Sequence, residues 1–237
     1  MNKELKKALK EEFEAPAPTR KREFLRNMQA PHISYLKFVL LQASYIRKWI
    51  WVLSFFIFII AVIGAGYMDK NMLWCISAFV PLLALSVITE SGRSELYDMV
   101  EFEMSTRFSL KSVVLARLGI LGLANFILIY LLIPFAFRNS QTTLFQTSVY
   151  IICPYLLTVF LGLWAVRKIR GKESLYLCAG IAICISIGII MGSLSLPAFY
   201  EEYNFIWWII SLVIFSIGTA KQCYQIIKQT EELTWNL

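Results

Sequence analysis

The chain has 237 residues, 58% of them hydrophobic and only 16% charged, with a mean hydropathy of +0.61. A soluble domain carries about 25% charged residues, so lipid is the expected solvent for most of this chain, and what remains is too short for a separate soluble catalytic domain. The formal charge of +7 is 23 Lys and Arg against 16 Asp and Glu, and eleven of those cations precede residue 49, which favours an anionic membrane surface as partner and no nucleic acid.

Residues 1–32 read as a cytoplasmic basic arm, with a Pro-interrupted EAPAP stretch and a cluster of Arg20, Lys21, Arg22 and Arg26. No apolar run precedes a cleavage site there, so the first span is expected to direct insertion itself. In residues 33–48, ISYLKFVLLQASYIRK, the polar Ser34, Lys37, Ser44 and Lys48 share one helical stripe, interrupted by Leu41. The apolar Ile33, Leu36, Val39, Leu40 and Ala43 spread over the other side, a pattern that suits an amphipathic helix in the membrane interface.

Six apolar runs follow, at about 49–67, 72–89, 113–137, 144–166, 174–196 and 205–221. Each is close to the ~20 residues with which a helix crosses the hydrocarbon core, and the runs are continuous where a barrel strand would alternate. The predicted class is therefore all-α: a polytopic membrane domain over 49–221 with six transmembrane helices, and a tail at 222–237. With the N-terminus inside, the inner segments hold 21 of the 23 cations and the outer loops keep only Lys70 and Arg138. That bias predicts both termini in the cytoplasm. Trp49, Trp51, Tyr67, Trp74, Tyr203, Trp207 and Trp208, near span ends, are expected to form aromatic belts.

Between the second and third runs lies TESGRSELYDMVEFEMSTRF, residues 89–108, with five carboxylates: Glu90, Glu95, Asp98, Glu101 and Glu103. Thr89 or Ser91 is expected to cap a short cytoplasmic helix over about 93–104. Glu95 would stand in its first turn, and Leu96, Met99 and Val100 would share an apolar face that Phe102 continues. Ser109 is the expected N-cap of the following span. The acids alone could be a solvated loop offsetting Arg93, Arg107 and Lys111. The apolar face argues instead for a protein partner that buries it.

This layout resembles the membrane subunit of an ABC-2 type ABC transporter: a basic arm, an interfacial connecting helix, six spans with both ends inside, and a cytoplasmic helix between the second and third. The similarity covers roughly residues 33–237, and its local motif is ITESGRSELYDMVEFEMSTRFSLKSVVLARL. Unlike longer family members, the chain has short outer loops and no fused ATPase. The resemblance implies that Glu95, Leu96, Asp98, Met99, Val100, Glu101, Phe102 and Glu103 form the coupling helix that docks on a cytoplasmic ABC ATPase, which would bind ATP and Mg. It also implies a permease dimer with a second copy or a homologue, in a bacterial plasma membrane. The function expected is export of an apolar or amphiphilic substrate. The alternative is a tether that holds a cytoplasmic regulator without transport.

The chain itself is not expected to be an enzyme or to bind a cofactor. The nearest approach to GxxxxGK[ST] is Gly171-Lys172, followed by Glu173 and with Val166 where the first glycine should stand. Glu201-Glu202 and Gly192-Ser193 invite protease readings, but the only histidine, His32, precedes the first span. Cys75, Cys153, Cys178, Cys184 and Cys223 form no CxxC pair and read as small packing residues, with no metal site. Gly188 and Gly192, continued by Gly180 and Cys184, make a small helix face that suits packing within the chain or a dimer seam, with Gly64 and Gly66 as companions in the first span. Glu90 and Arg117 are expected to snorkel to the interface, and Asn125, Thr158 and Ser186 to hydrogen-bond between helices.

Overall fold

The computed structural model describes residues 35–67, 72–91, 110–137, 143–169, 172–195 and 204–235. The basic arm and the coupling segment 93–104 lie outside the described residues, as does Ser109. The chain divides after Phe38, and the bundle belongs to the unit Val39–Leu237. Among the described residues there are seven α-helices and no strand: α1 Tyr35–Tyr45, α2 Lys48–Tyr67, α3 Met72–Ser91, α4 Leu110–Phe137, α5 Leu144–Lys168, α6 Lys172–Ser195 and α7 Phe205–Trp235. Such long apolar runs are helical because lipid offers no partner for a backbone N–H or C=O, and a helix satisfies both internally.

Helices α3 to α7 are each long and apolar enough to cross a membrane, and α2 joins them as a sixth when taken together with α1. The helix expected over 33–48 ends earlier than the sequence pattern implies: α1 stops at Tyr45, and the chain turns by 79° before Lys48 opens α2. Ile46, at the turn, is buried with Val87 and Leu121, and Ile50 N–H donates to the Arg47 carbonyl at 3.0 Å. α7 continues as helix to Trp235, well past the apolar run that predicted it.

Contacts between helices fix their directions. Phe145 meets Phe205, Tyr150 meets Trp208, Phe160 meets Phe215, and Arg167 hydrogen-bonds Gln225, so α5 and α7 run parallel in steady register. Ser77 reaches Tyr150 and Ile88 reaches Gly162, which makes α3 parallel to both. Asn125 meets Leu83 while Leu121 packs with Val87, so α4 is antiparallel to α3. This alternation is what successive membrane crossings require.

The best-buried helices are α3 and α5, with 67% and 61% of their apolar windows covered, against 17% for α6 and 11% for α7. α3 packs against α2, α4, α5 and α6. Ile76, Val80, Leu83 and Ile88 of α3 join Tyr150, Ile151 and Leu163 of α5 in the main core, with Ile129 and Leu132 from α4. Small residues permit the closest crossings. A Cβ on Gly162 would stand 2.2 Å from Ile88 Cδ1, one on Gly218 would stand 2.9 Å from Phe160 Cδ2, and one on Gly64 would stand 3.2 Å from Cys75 Sγ.

Three of the helices contain proline, at Pro81, Pro134 and Pro154. Pro154 has no N–H for the carbonyl of Tyr150 four residues earlier. The Ser77 hydroxyl of α3 donates to that carbonyl at 3.2 Å, so the missing intrahelical bond becomes an interhelical one.

Large apolar side chains cover the outside: Phe55 and Phe56 are each 58% exposed, Leu123 67%, Met191 57% and Ile217 65%. Such a surface in water would be far larger than the apolar patches soluble monomers carry, and it identifies a multi-pass membrane protein. Trp49 and Trp207 are exposed near the starts of α2 and α7, as belt residues would be. Trp74 and Trp208 differ: both pack against the main core, and Trp208 makes an edge contact with Tyr150 at 5.2 Å.

Candidate functional site

The predicted docking residues Glu95, Leu96, Asp98, Met99, Val100, Glu101, Phe102 and Glu103 lie outside the described residues. What the structure provides is the pair of helices from which that segment hangs. The helix that Thr89 or Ser91 is expected to cap lies outside the described residues. Both remain in α3, where the Thr89 hydroxyl donates to the Leu85 carbonyl at 2.8 Å and the Ser91 hydroxyl to the Ile88 carbonyl at 2.7 Å. The hydroxyls close the last turn of α3 by bonding back three or four residues, a local competitor to capping.

Glu90 and Arg117 correct the snorkelling expectation. They are 3% and 7% exposed, on packed antiparallel helices at the end where α3 gives way to α4, and each is engaged in a polar or electrostatic contact. Snorkelling would leave the charged heads in water; here protein covers them. A charge taken from water is costly unless it meets opposite charge and hydrogen bonds, so this end of the seam is electrostatically constrained.

Further along the same seam, the Asn125 amide of α4 donates to the Leu83 carbonyl and to Ser86 Oγ of α3, both at 2.9 Å. The Tyr155 side chain of α5 hydrogen-bonds Asn125, so one polar node ties three helices together. Asn125 thus behaves as the sequence implied. Thr158 and Ser186 do not, because each donates to a carbonyl of its own helix, Pro154 at 2.7 Å and Ala182 at 2.9 Å. Arg117, Leu121 and Asn125 recur every four residues on α4, and of these Leu121 packs with Val87 and Asn125 bonds Leu83 and Ser86 on α3. That spacing was readable in the sequence; the pairing of the two faces was not.

The dimer candidates separate into two groups. Gly64 faces α3 through Cys75 and Phe79, whereas a Cβ on Gly180, Gly188 or Gly192 would meet nothing within 4 Å. Among the described residues, no neighbour packs on the small face of α6 at these three glycines. Gly66 belongs to the last turn of α2, and its surroundings lie outside the described residues. All five cysteines are free; Cys153 and Cys178 are buried packing residues, while Cys184 is exposed on α6. Among the described residues no group of three His, Cys, Asp or Glu is placed to hold a metal.

At the same end of the bundle, α5 closes with Arg167 and Lys168 in its last turn, and the Ile169 N–H donates to the Ala165 carbonyl at 2.9 Å. The opposite end of α5 opens with a capping box: Gln146 N–H donates to Thr143 Oγ1 and Thr143 N–H to Gln146 Oε1. Comparison with known proteins gives no matching family model, no matching curated protein and no matching solved structure.

Proposed function

We propose that the chain is the membrane subunit of an ABC-2 type transporter in a bacterial plasma membrane. It exports an apolar or amphiphilic substrate, with ATP and Mg bound by a separate cytoplasmic ATPase. The observation that carries this reading is the position of α3. The helix that leads into the acidic segment packs against four others, α2, α4, α5 and α6. A displacement of the segment at 93–104 is therefore delivered to most of the bundle, and the buried Glu90 and Arg117 with the Asn125 node make the α3–α4 seam a stiff route for it.

Further support comes from the 79° turn between α1 and α2, the arrangement of a helix along the membrane surface followed by one across it. The alternating helix directions fit six crossings with both termini on the cation-rich, cytoplasmic side. The open face of α6 at Gly188 and Gly192 supports a second copy or a homologue there, with Gly64 already taken by α3.

The test is charge reversal in the docking segment. Glu95→Lys, Asp98→Lys and Glu101→Lys together abolish association with the ATPase while membrane insertion is retained. Retention of the ATPase by that triple variant removes the docking role of the segment.

A further inference from the structure

The end of the bundle that carries Arg167 also carries a group of cations. Arg167 and Lys168 close α5, and on the parallel neighbour α7 Lys221 and Lys228 lie four residues before and three after Gln225, which hydrogen-bonds Arg167. Neither α5 nor α7 up to Gln229 contains an acidic residue. Favourable placement at a helix C-terminus accounts for Arg167 and Lys168. It does not account for Lys221, which stands sixteen residues into α7, about 24 Å along its axis and so within about 6 Å of the far boundary of a hydrocarbon core about 30 Å thick.

The surroundings suit one class of ligand. Lys168 Nζ lies 5.2 Å from the centre of the Trp164 ring, and Trp164 is 40% exposed, as an indole at the interface between acyl chains and headgroups would be. Tyr224, one turn after Lys221, is 68% exposed on the same side of α7. A guanidinium has five N–H donors, of which Gln225 takes one. Gln222 is 6% exposed and its buried amide oxygen has no hydrogen-bond partner among the described residues; reversing the amide would turn two N–H donors to that position.

We propose that the crevice between the C-terminal ends of α5 and α7 binds the phosphate headgroup of an anionic membrane lipid, held by Arg167, Lys168 and Lys221 with its acyl chains along Trp164 and the apolar flank of α7. The inference rests on the reading of the chain as a multi-pass membrane protein and is independent of the ATPase.

The test uses the full chain, delipidated in detergent and titrated with dioleoyl phosphatidylglycerol or dioleoyl phosphatidylcholine, with bound lipid counted by native mass spectrometry. The first phosphatidylglycerol binds at least about tenfold more tightly than the first phosphatidylcholine. Because a basic side chain at a membrane surface contributes about fivefold, K168Q/K221Q weakens phosphatidylglycerol about 25-fold and leaves phosphatidylcholine unchanged. Both lysines are exposed, so the variant keeps its fold. The control K37Q/K48Q, which removes two other exposed charges, has no effect. Equal affinity for the two lipids, or equal losses in the two double variants, overturns the site. Displacement of phosphatidylglycerol by excess inorganic phosphate overturns the assignment to lipid. Failure of this test leaves the docking role of 93–104 standing, because no ATPase enters the readout.

Discussion

Substituting Gly162 with alanine tests the packing at the centre of the bundle. The new Cβ would lie 2.2 Å from Cδ1, 2.8 Å from Cγ1 and 3.2 Å from Cγ2 of Ile88, where carbon atoms in contact prefer about 3.5–4.0 Å. Ile88 is 1% exposed and has little room to turn away. Nor can α5 withdraw without disturbing α6, since the Gly162 carbonyl accepts from Cys178 Sγ at 3.6 Å. Overpacking costs about 1–3 kcal/mol, and the better helix propensity of alanine offsets up to about 1 kcal/mol, so Gly162→Ala is expected to destabilise by about 1–2 kcal/mol. Ile88→Ala removes all three crowded atoms but opens a cavity, at a cost of about 2–5 kcal/mol. In the double variant the alanine methyl enters the vacated space, so the combined loss is smaller than the sum by about 1–2 kcal/mol. The assay is unfolding in detergent micelles by dodecyl sulfate titration, followed by loss of helical circular dichroism. Additivity within about 0.5 kcal/mol would refute the reasoning, because residues in contact must couple.

Ser77→Ala removes the hydroxyl donor to the Tyr150 carbonyl and is expected to cost about 1 kcal/mol in the same titration. In a Pro154→Ala background residue 154 regains the N–H for that carbonyl, and the cost of losing Ser77 falls to a few tenths of a kcal/mol; an unchanged cost counts against the exchange of bonds. Glu90→Gln and Arg117→Gln each destabilise by about 3 kcal/mol, as expected when a buried, engaged charge is removed and its partner group is left behind. The double variant loses less than the sum; simple additivity means that the two charges act separately.

The helices were legible because lipid imposes a single solution on long apolar runs. α2 to α7 begin within three residues of the starts read from hydropathy, and Pro81, Pro134 and Pro154 interrupt none of them. Boundaries set by other forces were not. The apolar signal fades at Lys221, where the chain leaves the expected membrane, yet α7 continues, because a helix does not need lipid once begun. Thr89 and Ser91 read in the sequence as caps of the next segment; the bonds their hydroxyls donate back into the last turn of α3 have no sequence signal. Glu90 and Arg117 look like snorkelling charges in the sequence, yet both are buried. Which glycine meets a neighbour depends on helix rotation: Gly162 is pressed against Ile88, while a Cβ on Gly188 or Gly192, with the more familiar spacing, meets nothing within 4 Å among the described residues.

The central claim is that the acidic segment docks on an ATPase that drives the bundle. It is tested most directly by purifying the tagged chain from its native host in mild detergent, identifying what accompanies it by mass spectrometry, and assaying ATP hydrolysis. The account predicts a Walker-motif ATPase in near equal amount, with vanadate-sensitive hydrolysis. Recovery of the chain alone, or with a protein that has no ATPase, would contradict it and favour the tether.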